Sequence, residues 1–422
     1  MWRHPDFLKL WLAQGISDFG SHITQLALPL TAAVMLNATP MQMGILGAVE
    51  MLPFALFSLH AGVLIDRQRR MPLMLGRDIA AALILLLVPL AVWGGWLSME
   101  VLFLVGFLHV TTEVFGGSAH QSYVATLVGR ERLVEAHSKL MTTASTAQVT
   151  APGLAGLLVQ ILTAPIALLF DALSFLVSAL ILTRIRTAEP EPQPDRQRSV
   201  MEDIRAGLSF IRRTPLLRVL ALQAALWQLL FHMLMALLVL FATRELGLSA
   251  AQMGMCFMLG GLGSLVAALT AERLGERFGV GPMMGWGMAF TALAWLLFSL
   301  IPRSGPTMFW FSAVEGLLAF GATLFSIHYL AARAALTPDA LLGRMIASMR
   351  FLTVTPAPLG ALIGGGLGST LGLRPALLAI GLGGMVLAAM VVCRSPVRHL
   401  HSLPKKVEEL EPAAPGLNTV TA

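Results

Sequence analysis

Acids and histidines stand inside long apolar stretches of this chain at helical spacing. Asp18 and His22 are four residues apart in LAQGISDFGSHITQLAL, and His109 and Glu113 repeat that interval in VGFLHVTTEVF. Residues i and i+4 share one face of a helix, so each pair brings an acid and a base together. Such a pair takes up a proton and passes it on, or it forms a static pair that fixes its helix. Two further carboxylates stand alone, Glu50 in QMGILGAVEMLPF and Glu315 in FSAVEGLLAF. Each is open to proton binding or, for Glu315, substrate contact, and equally to a structural partner. Asp171 has Ser174 beside it in FDALSF, which reads as interhelical hydrogen bonding. His232 reads as a satisfied interior histidine or as a ligand. No metal is expected: His109 and Glu113 offer two ligands, with no third and no HExxH motif. The two cysteines, Cys256 and Cys393, fall in separate apolar runs and indicate neither a disulfide framework nor a metal site.

The composition says which elements must hold these side chains. Of 422 residues, 56% are hydrophobic and 12% charged, against about 25% charged in a soluble domain, and the mean hydropathy is +0.76. Apolar runs of about 20 residues, enough for a helix to cross a bilayer, recur throughout. Twelve spans are expected, at 9–35, 42–64, 73–95, 100–124, 140–162, 164–184, 216–243, 251–271, 282–302, 306–330, 345–369 and 374–393. The first is too long for a cleavable signal peptide. With the N-terminus inside, all 29 Lys and Arg except Arg244, Arg303 and Arg374 lie at cytoplasmic ends, loops or tails. That is the positive-inside pattern, and it puts both termini in the cytoplasm. The net charge of +6 is then a topology signal and needs no nucleic-acid partner. An ionisable group at mid-bilayer costs roughly 3 kcal/mol unless water or a partner meets it. The embedded acids are functional candidates for that reason.

The chain repeats itself. Gln42-Met43-Gly44 returns as Gln252-Met253-Gly254, an offset of 252 − 42 = 210 residues. The same offset lays Pro5 on Pro215, Asp66-Arg67 on Glu276-Arg277, Pro72 on Pro282 and Pro165 on Pro375. Two six-helix bundles are expected, at 1–186 and 214–396, as parallel repeats. The joining segment 187–213 starts as a Pro-rich, charged linker. Ser199 and Glu202 then have capping-box spacing, and Ile204, Leu208 and Ile211 mark a short amphipathic helix. Arg205, Arg212 and Arg213 are placed to meet anionic headgroups. The tail 397–422 reads as disordered.

The loop GVLIDRQRRMPL resembles the cytoplasmic signature of the major facilitator superfamily, Gly-x-x-x-Asp-Arg-x-Gly-Arg-Arg. Gly62, Asp66, Arg67 and Arg70 match, and Arg69 replaces the second glycine. AQVTAPGLAG resembles the antiporter signature of that superfamily at Pro152 and Gly156, with alanine at 147, 151 and 155. LGRDIAAALILL, HQSYVATLVGRERLVEAHSKL, FDALSFLVSA and TPDALLGRMIAS are similar to the branch holding the macrolide efflux pumps and the enterobactin exporter. The resemblance implies an all-α fold of twelve transmembrane helices in two pseudo-symmetric bundles. It also implies that spans 1, 4, 7 and 10 line a central cavity and that spans 2, 5, 8 and 11 flank the cleft.

On that expectation Gln14, His22, Gln25, His109, Trp227, Gln228, His232 and Glu315 are candidates for the substrate cavity. Asp18, Glu50 and Glu113 are candidates for proton coupling, with Glu50 near an outer mouth or lateral opening. Gly62, Asp66, Arg67, Arg70, Arg77 and Asp78 form a cytoplasmic gate. The expected protein is a monomeric, non-enzymatic exporter in a bacterial inner membrane. It moves a small amphipathic molecule, drug-like or siderophore-like, by alternating access with protons as the coupling ion and no other cofactor. Two alternatives stand beside it: a lipid or lysolipid transporter working through the span 2/span 11 cleft, and an intramembrane enzyme using His109 and Glu113. A non-transporting sensor would need a soluble domain to signal through, and the sequence offers none.

Overall fold

A computed structural model describes residues 1, 4–66, 68–187, 189, 200–338 and 341–401, and the described residues form an all-helical, multi-span membrane fold. The first six helices are α1 (Pro5–Leu30), α2 (Pro40–Asp66), α3 (Arg70–Trp93), α4 (Met99–Val128), α5 (Leu133–Leu162) and α6 (Ala164–Leu182). A short helix, α7 (Val200–Arg213), follows. The rest are α8 (Pro215–Leu240), α9 (Ala250–Phe278), α10 (Val280–Leu300), α11 (Thr307–Ala335), α12 (Leu342–Val354), α13 (Ala357–Leu371) and α14 (Leu373–Arg394).

Among the described residues 11 helices are long and apolar enough to cross a membrane, with α12 and α13 counted as one stretch. The first expected span, α1, is not among them. Gln14, Ser17, Asp18, Ser21, His22 and Gln25 dilute its hydropathy, so its polar face is what sets it apart.

The offset of 210 is visible in the element bounds. α1 runs into a π-helical turn at Thr31–Met35, and α8 into one at Phe241–Glu245. The chain then turns in the same way twice: Ala38 N donates to Ala32 O at 3.0 Å, and Leu248 N to Ala242 O at 2.9 Å. The repeated glutamines have one job. Gln42 Oε1 accepts from Thr39 N at 2.8 Å while Gln42 N donates to Thr39 Oγ1. Gln252 Oε1 accepts from Ser249 N at 2.9 Å while its own N donates to Ser249 Oγ. Both are reciprocal caps that satisfy otherwise orphaned N–H groups at a helix start.

Three expectations change. Span 11 is broken, because Pro356 and Pro358 lack the N–H groups a continuous helix needs, and α12 stops at Val354. The linker's first residues are tied down: Asp6 accepts from Arg186 N and Thr187 N, and Glu189 accepts from Arg70 N at 2.7 Å and Met71 N at 3.1 Å, closing the start of α3. The tail's first residues form a 3-10 turn, Pro396–His399, whose neighbour Leu400 O accepts from Gly281 N at 2.8 Å. Residues beyond 401 lie outside the described part.

α7 packs on α12 and α8. A side chain at Gly207 would meet the Arg344 carbonyl, and Ile211 is buried by protein. Arg205, Arg212 and Arg213 stay exposed. Part of the face expected to meet lipid therefore meets the second set of helices.

Candidate functional site

Arg77, on the third turn of α3, gathers the polar groups of four helices. Its Nη1 donates to Ser17 Oγ of α1 at 3.1 Å and to Asp78 Oδ1 at 2.8 Å. Its Nη2 donates to Glu113 Oε1 of α4 at 2.5 Å. Ser178 Oγ of α6 donates to Asp78 Oδ2 at 2.6 Å, and the guanidinium lies 4.6 Å above the Phe175 ring. A planar fork of donors suits this task, since it can hold two carboxylates and a hydroxyl at fixed angles. Room for its stem comes from Gly116, where any Cβ would overlap the Arg77 side chain. The Arg77 side chain is 15% exposed and that of Glu113 34%, so the acid is the more exposed of the two.

The expected gate is thereby divided. Arg77 and Asp78 leave the loop cluster for the interior of the first six helices. Arg70 instead meets Glu189, at 3.8 Å, and Thr126 Oγ1, at 3.3 Å. Arg67 and the side chain of Asp66 lie outside the described residues, and of Gly62 only the helical backbone is described. The sequence placed Arg77 by its nearness to the loop signature, whereas the fold places it by its partners.

Beside this cluster, the acid–base spacing of α1 does not give an acid–base bond. Gln14 Nε2 donates to Asp18 Oδ1 at 2.6 Å, and His22 Nδ1 meets Gln25 Oε1 at 3.1 Å. Each ionisable group takes an amide one turn away, so the static pair considered for Asp18 and His22 is not formed. His109 is buried, edge-on to Phe175 with centroids 5.9 Å apart, and its Nδ1 has no partner among the described residues. The cation that holds Glu113 is Arg77.

Asp171 is fully buried and accepts from Thr24 of α1 and from Ser174, the latter at 3.0 Å. It joins α1 to α6 as a structural acid. Ser178 continues the stripe 171, 174, 178, an i, i+3, i+7 pattern that the sequence displays and that would have located it. Ser17 and Gly116 carry no such mark.

The solitary acids turn toward glycines. Glu50 packs its Cγ against Gly106 of α4, 3.1 Å from where a Cβ would stand. It thus packs on α4 of its own set of helices. Glu315 of α11 lies against Gly260 of α9, with Oε2 buried and unpartnered among the described residues, as is Ser312 Oγ. It is turned to this α9–α11 seam. Trp227 is 5% exposed and packs at a tilt on Trp295 and Phe325, at centroid distances of 4.7 and 5.5 Å. His232 Nδ1 meets the Gln228 carbonyl at 2.8 Å, the satisfied interior arrangement. Among the described residues no cluster of His, Cys, Asp and Glu is suited to a metal.

The first and second sets of helices meet at the chain end of α2 and α9 where the two glutamine caps lie. Gly44 of α2 faces Gly365 of α13, and Gly254 of α9 faces Gly156 of α5, each with a would-be Cβ 2.8 Å from the opposing Cα. The Pro152 carbonyl also borders Gly254, so both antiporter-motif residues serve this crossing. Nearby, Arg244 Nη2 donates to the Ala33 carbonyl at 3.2 Å. Glu245 holds Arg303 at 2.5 Å and Arg374 at 3.2 Å. The three arginines that the charge pattern put outside thus converge on one end of the molecule.

A fold of this kind, with an ionic cluster inside its spans, defines a membrane transporter class. The family model described as transmembrane secretion effector matches residues 2–415. The chain belongs to that family and to the major facilitator superfamily. The enterobactin exporter EntS of Escherichia coli O9:H4 (strain HS) is 27% identical over 419 residues, covering 96% of this chain and 95% of the exporter. Its counterpart in Shigella dysenteriae serotype 1 (strain Sd197) is 26% identical over 417 residues, covering 96% and 95%. Among solved structures, the nucleoside transporter NupG superposes with a TM-score of 0.77 at 11% identity, covering 92% of this chain and 98% of that one. A bacterial homologue of the iron transporter ferroportin, in an inward-facing state, gives 0.71 at 18% identity, covering 92% and 99%. At those identities the two structures speak for the fold alone.

Proposed function

We propose that this chain is a proton-driven exporter of a small amphipathic molecule in a bacterial inner membrane. Its twelve spans, with α12 and α13 forming one, are arranged as two six-helix bundles with both termini in the cytoplasm, and it works by alternating access. The observation that carries this reading is the Arg77 cluster. Glu113 is held by an arginine that also holds Asp78 and Ser17, with Asp18 next to Ser17 and Gln14 one turn earlier on α1. A proton arriving on Glu113 or Asp18 changes the net charge here by one, and one on Glu113 weakens the bond that ties α4 to α3. Substrate binding that depends on that bond is then coupled to protonation through differential affinity for two states.

The protein relatives carry enterobactin by name, so a catecholate siderophore is the first probe, with a macrolide beside it. The lipid alternative through the cleft is less favoured, since Glu50 packs against Gly106 of α4. The enzyme alternative loses its pair, since Arg77 holds Glu113.

The test uses the full chain in proteoliposomes with an imposed pH gradient. Asp18→Asn and Glu113→Gln should insert normally, and one of them should bind probe yet lose uphill export. Uphill export retained by both, at the wild-type rate, would remove proton antiport and leave a facilitated pathway.

A further inference from the structure

The Arg77 cluster leaves two atoms unsatisfied. Arg77 Nε is buried without a partner among the described residues, although both terminal nitrogens are engaged. His120 Nε2, two turns beyond Glu113 on α4, is buried and equally unmatched. Both residues line one small cavity of about 20 Å³, together with Gln14, Asp78, Gly116 and Ser178. That is far below the roughly 300 Å³ at which ligand pockets begin, and near the roughly 10–15 Å³ one water requires.

The lining selects the occupant. Arg77 Nε–H can only donate, Asp78 can only accept while ionised, and His120 Nε2 does either according to its tautomer. An organic ligand is too large. An anion would sit against Asp78 and a cation against Arg77. Water alone accepts from the first, donates to the second and exchanges either role with the third.

We propose that this cavity is a water site joining His120 to the Asp78 carboxylate, and that His120 delivers protons through it to the acid cluster. In the step, the bound water takes the proton from His120 Nε2 and gives one of its own to a carboxylate oxygen of Asp78. The imidazolium becomes imidazole, the carboxylate becomes the acid, and the water is restored. Arg77 orients the water and carries no proton, because guanidinium does not deprotonate in proteins. The groups facing His120 are Arg77 and Asp78 from α3, Gln14 with Asp18 behind it from α1, Ser178 from α6, His137 of α5 and Glu113 on its own helix. His120 and His137 are the imidazoles in that set, side chains that take up and release a proton at a ring nitrogen.

This inference rests on the proton-driven reading, and its test is separable from it. A pH jump on the purified full chain, followed by time-resolved infrared spectroscopy of the carboxylic C=O stretch, reads protonation of the buried acids without any substrate. His120→Gln keeps a hydrogen-bonding amide but carries no proton. It should slow the rise of the acid band roughly 100-fold, the lower range for a positioned acid–base group, with its amplitude unchanged. Asp78→Asn should remove part of that amplitude. Imidazole added to His120→Gly should restore speed. A wild-type rate in His120→Gln, or an undiminished band in Asp78→Asn, would overturn the relay. If Asp18→Asn and Glu113→Gln lose uphill export while His120→Gln keeps the wild-type infrared rate, the relay alone falls. If both keep uphill export, the proton-driven reading itself falls.

Discussion

At the scale of the residue, the site depends on a fork and a gap. Arg77 makes four contacts that a lysine, a flexible point charge, cannot hold at once. Arg77→Lys should keep the charge and lose the geometry, lowering gradient-driven export more than folded yield. Arg77→Met should instead strand Asp78 and Glu113, at a cost of about 3–5 kcal/mol, and show first as lost yield. Gly116→Ala offers the same comparison from the other side. Its new methyl group overlaps the Arg77 stem, so the arginine must shift, for about 1–3 kcal/mol of strain. Thermal unfolding of the purified protein and export from proteoliposomes, measured together, separate these outcomes. An Arg77→Lys protein with unchanged export would mean that charge alone suffices. That Asp18, Glu113 and Asp78 were candidates was legible in the sequence, because acids in apolar runs are rare. The partner of Glu113 was not, because periodicity compares residues on one helix and Arg77 works across four.

At the scale of the element, sequence signals were most faithful where the physics is local. The caps at Gln42 and Gln252 follow from a hydroxyl residue three positions earlier, Thr39 and Ser249, and both form as reciprocal pairs. Gln42→Ala and Gln252→Ala should each cost about 0.3–1.5 kcal/mol, and by nearly the same amount. Unfolding midpoints of the two variants check it, and a large inequality would show that the two helix starts differ in context. The break between α12 and α13 was missed for a related reason. Hydropathy ran unbroken through Pro356, and apolar length was weighed above the missing N–H. α1 shows the opposite failure: its polar face lowers the hydropathy that length-based criteria need, yet the helix is complete from Pro5 to Leu30. Residues such as Trp227 were assigned to a cavity by span number alone, which cannot say which face of a span looks inward.

At the scale of the whole molecule, the two sets of helices touch through backbone. Gly44 against Gly365 and Gly254 against Gly156 leave no space for a side chain, and the nearby Arg244 reaches the Ala33 carbonyl. Gly365→Val should force this end apart while leaving the protein in the membrane. A cysteine placed at Ala33, which is 4% exposed, should then react faster with a membrane-impermeant maleimide, and Arg244→Ala should act in the same direction. Unchanged labelling in both variants would show that this end is held by other contacts.

Those glycine crossings also have a mechanical meaning. Each lies near one end of a long helix, so each acts as a fulcrum set close to the end of a lever. From Gly254 to Phe278 α9 runs 24 residues (278 − 254), roughly 36 Å at about 1.5 Å per residue. A turn of about 10° about that fulcrum moves the far end by roughly 6 Å on the same helix dimensions, while the glycine contact itself scarcely slides. Large openings at one face then need almost no repacking at the other. The two missing Cβ atoms are what make the pivot stiff in distance and free in angle.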